Sequence, residues 1–357
     1  MSEDTLIDFI ESVSGGAHLR VEENLGNGFV RLRISEAERR QAKHDIRCVE
    51  DIVIELLRNA RDANASCIFI ATTKEGSVRY LTIIDDGDGI PVELQQLVFE
   101  PRVTSKLETM VMDDWGVHGR GMALYSIRCN VEEAHIACSG AQLGSAFHVR
   151  VNTDELGEKT DQSSYPILEK DEDGVLHVAR GPHNIIRAAL EFSLANKQIL
   201  TIYLGSPAEI TATLVDYGHR SLSSDKLLFI DDITTLPICE RLAASADANE
   251  LMQQAQTLGL SLSERTAHRI LSGQIEPLRS VLRNVVPEKG KTVSTPDLFK
   301  DNRGLKLARE DVESFSREME KAFEILAQRY YISLKDIPKI TVKGDTITVR
   351  FSIDKEL

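Results

Sequence analysis

The nine residues ELLRNARDA, Glu55 to Ala63, constrain this chain of 357 residues more than any other stretch. Glu55, Asn59 and Asp62 stand at i, i+4 and i+7, so in a helix their side chains share one stripe. Ile52, Val53, Leu56 and Leu57 make the rest of that helix apolar. Two carboxylates and an amide facing a protein interior are strongly disfavoured unless they meet a ligand, a metal or water. A stripe left in solvent is the other solution, and the helix alone does not choose between them.

Two glycine-rich segments further along weigh on that choice. In IIDDGDGIP, Ile83 to Pro91, a β-rich run ends in Asp85, and Gly87 and Gly89 then let backbone approach a ligand closely before Pro91 opens a helix. In WGVHGRGMALYSI, Gly116, Gly119 and Gly121 lead into a helix starting near Met122. Glycines feeding a helix N-terminus form an anion cradle of unpaired backbone N–H groups at the positive end of the helix dipole. The segment is not a P-loop, because G-x-x-x-x-G-K-[ST] is missing, and it does not follow a strand as a dinucleotide fingerprint should.

The surrounding pattern reads as an α+β domain. AHLRVEENLGNGFVRLRI gives two strands around Gly26–Gly28, and Ser35 with Glu38 has capping-box spacing for a helix running towards Ala63, with a break on the way. SCIFIATT, RYLTIID, EEAHIACS and GSAFHVRVN are further strands, giving a sheet with helices on one face. Residues 154–180 are charged and turn-rich and mark a linker or excursion. In 181–357, QILTIYLG and EITATLVDYG read as strands, Pro237 to Val286 is mostly helical, and a helix plus β-hairpin closes the chain at 308–354.

The helix stripe, the D-x-G-x-G turn and the glycine lid, in this order, resemble the GHKL superfamily of ATPases over roughly Ala17 to Asn152. FEPRVTSK, Phe99 to Lys106, is similar to histidine kinases in its FEP and to MutL-type ATPases in its TSK, and GSAFHV resembles the closing Gly-Thr strand of both, with Ser145 in place of threonine. The resemblance implies a Bergerat-type two-layer α/β sandwich over 1–153, followed by a smaller mixed α/β region. It also implies ATP and Mg²⁺ as cofactors. By motif position, Asp85 accepts the adenine amino group with Ser145 in support, Asn59 holds magnesium, Glu55 polarises the attacking water, and Asp62 supports the adenine end or the helix. Gly87 and Gly89 leave room for base and sugar, and Ile90, Thr104, His118 and Met122 join the nucleotide-binding set. Gly116, Gly119, Arg120 and Gly121 wrap the phosphates, where Lys106 and Arg120 add charge, although Arg120 equally fits an outward-pointing lid residue.

Glu55, four residues before the magnesium asparagine, is the pattern of the hydrolysing branches, so an ATP-driven conformational switch is expected, with slow hydrolysis and an ATP-dependent homodimer. The alternatives are a protein kinase of the histidine-kinase or anti-sigma-kinase type, and a nucleic-acid-binding module with a regulatory ATP site. KHDIR, Lys43 to Arg47, looks like a kinase phosphoacceptor, but His44 lies eleven positions before Glu55, too close for a two-helix dimerisation module. A formal charge of -14 disfavours a chain devoted to coating nucleic acid, yet Arg265 to Arg309 holds ten Lys/Arg against four Asp/Glu. Nucleic acid is therefore a possible partner through 265–309, beside a protein client that the sequence does not name. Five scattered cysteines suggest neither disulfides nor a zinc knuckle. With no apolar run of the ~20 residues a span needs and no leader, a cytosolic protein with no membrane segment is expected.

Overall fold

The computed structural model describes residues 21–104, 111–113, 116–118, 121–171, 175–222, 232–285, 309–330, 332–343 and 346–355. The chain divides into two compact units, residues 1–286 and 287–357.

The first unit opens with the expected hairpin, β1 (Val21–Gly26) and β2 (Phe29–Leu32). Ser35 and Glu38 form the capping box of α1 (Glu36–Asp45), and the helix does break: Ile46 is extended and α2 restarts at Val49, running to Asp62. β3 (Cys67–Glu75) and β4 (Val78–Asp85) follow, then β5 (Val103–Thr104), which pairs with β2, and the short strands β6 (Val111–Asp113) and β7 (Gly116–His118). α3 (Ala123–Asn130), β8 (Glu133–Ser139) and β9 (Ser145–Asn152) complete the glycine-motif region. Next come a hairpin of β10 (Ile167–Lys170) and β11 (Leu176–Arg180), helix α4 (Ile185–Ala195) and β12 (Thr201–Gly205).

β12 shows what the 154–180 stretch does. The chain leaves the sheet there and returns, because β12 pairs in parallel with β3 and gives a five-stranded sheet of order β12-β3-β4-β9-β8. One face of that sheet holds Ile68, Ile70, Leu81, Ile83, Phe147, Val149 and Ile202 against the apolar sides of α2 and α4. This is the two-layer α+β arrangement expected of a Bergerat-type fold.

The alternate residues Phe69, Ala71, Ile84 and Ala146 point the other way and are equally buried. They are covered by α5 (Pro207–Ser221), a 3-10 segment at Ile238–Ala244, α6 (Ala248–Thr257) and α7 (Glu264–Leu271). Helices therefore lie on both faces of the sheet, not on one. The EITATLVDYG stretch, expected as a strand, is most of α5. Ser206 and Glu209 make a capping box around Pro207, and Thr211 and Thr213 bury their hydroxyls by donating to the Pro207 and Glu209 carbonyls four residues back.

The second unit contains a helix, Arg309–Tyr330, and a hairpin of Lys339–Lys343 with Thr346–Arg350. Phe323 stacks on Phe351 with ring centroids 5.3 Å apart.

Candidate functional site

A cavity of about 1290 Å³ opens between α2, the ends of β4 and β9, the β1–β2 turn and the start of α3. That is above the roughly 300–1,000 Å³ of ordinary small-molecule pockets. Its walls include Glu55, Asn59, Asp62, Asp85, Gly89, Ile90, Thr104, Gly121, Met122 and Ser145. Residues ninety positions apart in sequence thus meet around one space.

The two ends of the cavity are chemically different. The D-x-G-x-G turn abuts the C-terminal end of α2, where the Asp88 N–H donates to the Ala63 carbonyl at 2.8 Å. Asp62 sits beside this end, paired with Arg61 at 3.2 Å. Seven residues of helix rise place Glu55 about 10 Å further along.

Asp85 is buried at the turn end. It lies directly opposite Ser145 in the β4–β9 register and accepts from the Gly87 N–H at 2.9 Å. Burial is the dominant influence on its carboxyl and pushes its pKa up to about 7, with the charges of Asp86 and Asp88 adding to the rise and the Gly87 and Ser145 N–H groups opposing it. Ser139 ties this corner together: its hydroxyl accepts from the Ile90 N–H at 2.8 Å, donates to the Gly144 carbonyl at 3.0 Å and lies 3.1 Å from the Ser145 hydroxyl.

At the other end Glu55 is half-buried and ion-paired with buried Arg58 at 2.6 Å. The Asn59 side-chain nitrogen is buried with no hydrogen-bond partner, and so is the Ser126 hydroxyl on the α3 wall. Orphaned buried polar atoms are uncommon in native proteins and call for a reason.

The glycines do something different from what their sequence positions suggest. Gly89 has φ +69°, and a side chain there would collide with the Gly140 carbonyl, so the close approach it permits is to its own chain. Gly87 is closed in by Ala63 in the same way and does not line the cavity. Gly121 has φ +64° and accepts from the Arg102 N–H at 2.8 Å, which stitches the start of α3 to the loop after Phe99. Arg102 also pairs with Glu38 of the α1 capping box. Gly116 and His118 lie in β7, whereas Lys106, Gly119 and Arg120 fall outside the described residues.

Sequence reasoning passed over Arg58, Ser126 and Ser139. Arg58 carried a signal, standing three residues after Glu55 on the same helix, a spacing that brings side chains together. Ser126 and Ser139 carried none, since their surroundings come from distant segments. Among the described residues no group of three or more His, Cys, Asp or Glu side chains could hold a metal ion, and no helix is long and apolar enough to cross a membrane.

The strand-end carboxylate, the polar helix stripe and the glycine-led α3 thus surround one cavity. Residues 44–155 match the family described as histidine kinase-, DNA gyrase B- and HSP90-like ATPase, and over that span the chain is a GHKL-type ATPase domain. Similar curated proteins are DNA mismatch repair proteins MutL. That of Thermus thermophilus is 41% identical over 83 residues, covering 22% of this chain and 14% of the relative. That of Allorhizobium ampelinum is 39% identical over 104 residues, 29% of this chain and 16% of the relative. That of Clostridium beijerinckii is 32% identical over 113 residues, 31% of this chain and 17% of the relative. The matched stretch is thus a small part of each of these proteins.

Proposed function

We propose that this chain is a Mg-ATP-dependent ATPase working as a conformational switch. The observation that carries the reading is the convergence of Glu55, Asn59, Asp85 and Ser145 on one cavity, with an acceptor of raised pKa at one end and orphaned donors at the other. Asp85 accepts the adenine amino group, and the Ser139–Ser145 hydroxyl pair supports the base beside it. Asn59 lines the cavity, and its amide oxygen is of the kind that would hold a magnesium ion, whereas its unpartnered amide nitrogen can only donate, as to a phosphate oxygen. When bound, that ion neutralises charge on the phosphates. Glu55 takes a proton from the attacking water, and Arg58, donating to the Glu55 carboxylate at 2.6 Å, orients it.

The switch reading is supported by contacts between the adenine corner and the layer behind the sheet. The Tyr217 hydroxyl of α5 donates to Asp86 at 3.3 Å, and the Ile238 N–H donates to the Leu143 carbonyl at 2.8 Å. A change at the D-x-G-x-G turn therefore reaches α5 directly, and one in the loop between β8 and β9 reaches the 3-10 segment.

Glu55→Ala tests the chemistry. ATP affinity should stay near the parental value while turnover falls by roughly 10² to 10⁴, the usual contribution of a positioned general base. Hydrolysis at the parental rate, or radioactive γ-phosphate ending on protein and not in solution, would replace the ATPase by another reading.

A further inference from the structure

Ser126 is a buried polar side chain that no role assigned so far explains. It sits inside α3, where serine normally satisfies its hydroxyl by donating to the carbonyl four residues back. Here the Met122 carbonyl takes the Ser126 backbone N–H at 2.8 Å, and the Ser126 Oγ has no partner at all. Only 2% of the residue is exposed, so bulk water does not compensate.

Its position supplies the reason. Ser126 lines the cavity together with Met122, Ala123 and Leu124, the first turn of α3 and the residue before it. That turn presents the positive end of a helix dipole. Of the buried side-chain atoms without partners among the described residues, those of Asn59 and Ser126 are the two whose residues line this cavity, and they come from two different helices. A hydroxyl can donate one hydrogen bond, and what it would meet at a helix N-terminus is an anion.

We propose that the Ser126 hydroxyl donates to a phosphate oxygen of the bound nucleotide, making α3 a second wall of the phosphate site opposite the contribution of α2. The proposal rests on the ATP reading above. It makes Ser126 a ligand-contacting residue.

Calorimetric titration of the full chain with ATP, ADP and adenosine, with thermal melting in parallel, tests it. Ser126→Ala removes one oxygen and should weaken ATP about ten-fold or more, the size of a lost hydrogen bond to a charged group. Adenosine affinity should not change, and the nucleotide-free variant should melt at or above the parental temperature, since it loses only an unsatisfied group. Ser126→Cys, of similar shape with a weaker donor, should fall between. If parental protein binds ATP and Ser126→Ala binds it equally well, the inference is overturned and the ATP reading stands. If parental protein binds no ATP, both fall.

Discussion

The two faces of the central sheet are built from the same strands, yet their polar groups are treated in opposite ways. On the back face the buried Thr82 of β4 finds protein partners. Thr82 donates to the Gly259 carbonyl at 2.7 Å, and because its one proton is committed there, the His148 Nδ1 at 2.9 Å acts as donor. Burial and neighbouring His135 hold the His148 pKa down, in keeping with a neutral ring. Arg241 spans the Leu236 and Thr234 carbonyls at 3.0 and 2.7 Å and reaches Cys138. On the front face Asp85 is buried with its pKa raised to about 7, and Asn59 and Ser126 keep atoms with no partner. These bonds tie the back layer to the strands. Buried polar groups without protein partners at the cavity are costly, and a ligand that met them would relieve that cost.

The largest effect that can break this comparison comes from the back. Phe69 is fully buried, stacked on Tyr203 with centroids 5.0 Å apart and edge-on to Tyr217 at 5.4 Å. Phe69→Ala should destabilise the first unit by about 3–5 kcal/mol in denaturant melts, by loss of burial plus a cavity. Below the melting midpoint its ATP affinity should match the parental value. A selective loss of binding in the folded variant would make the back layer part of the site.

A smaller change sharpens the contact between the faces. Tyr217→Phe removes one hydrogen bond to Asp86, which still accepts from the Ser66 and Cys67 N–H groups at 2.7 and 2.8 Å. Stability should drop by about 1 kcal/mol. Nucleotide affinity should fall with it, because this bond joins the turn to α5, and an unchanged affinity would take Tyr217 out of the switch.

The front face was far more legible in the sequence than the back. ELLRNARDA and IIDDGDGIP are short, and their polar residues sit at spacings that fix where they point once helix and strand are assumed. The strands were legible for the same reason, and CIFIA in β3 even carried the clue to a third layer, since a run apolar at every position is buried on both faces. α5 was misread because the β-branched residues of EITATLVDYG suit a strand, while the helix depends on a cap at Ser206 and on threonine hydroxyls folded back onto carbonyls. The 154–180 stretch reads as a linker or excursion because composition shows a loop but not where the chain goes after it. Ser126 and Ser139 depend on partners tens of residues away, and no local pattern encodes that.

Asp85 gives the most direct test of the central claim, that the front face keeps an energetically costly group in order to hold adenine. A carboxyl with a folded pKa near 7 and an unfolded value near 3.8 binds more protons in the folded state across that window, so its contribution to stability falls as pH rises from about 4 to 7. Asp85→Asn removes that fall. Calorimetry with ATP at pH 8, alongside thermal melts from pH 4 to 8, measures both sides of the bargain. The account predicts that Asp85→Asn binds no ATP yet melts above the parental protein at pH 8, with the difference shrinking towards pH 4. A variant that binds ATP with parental affinity would contradict it.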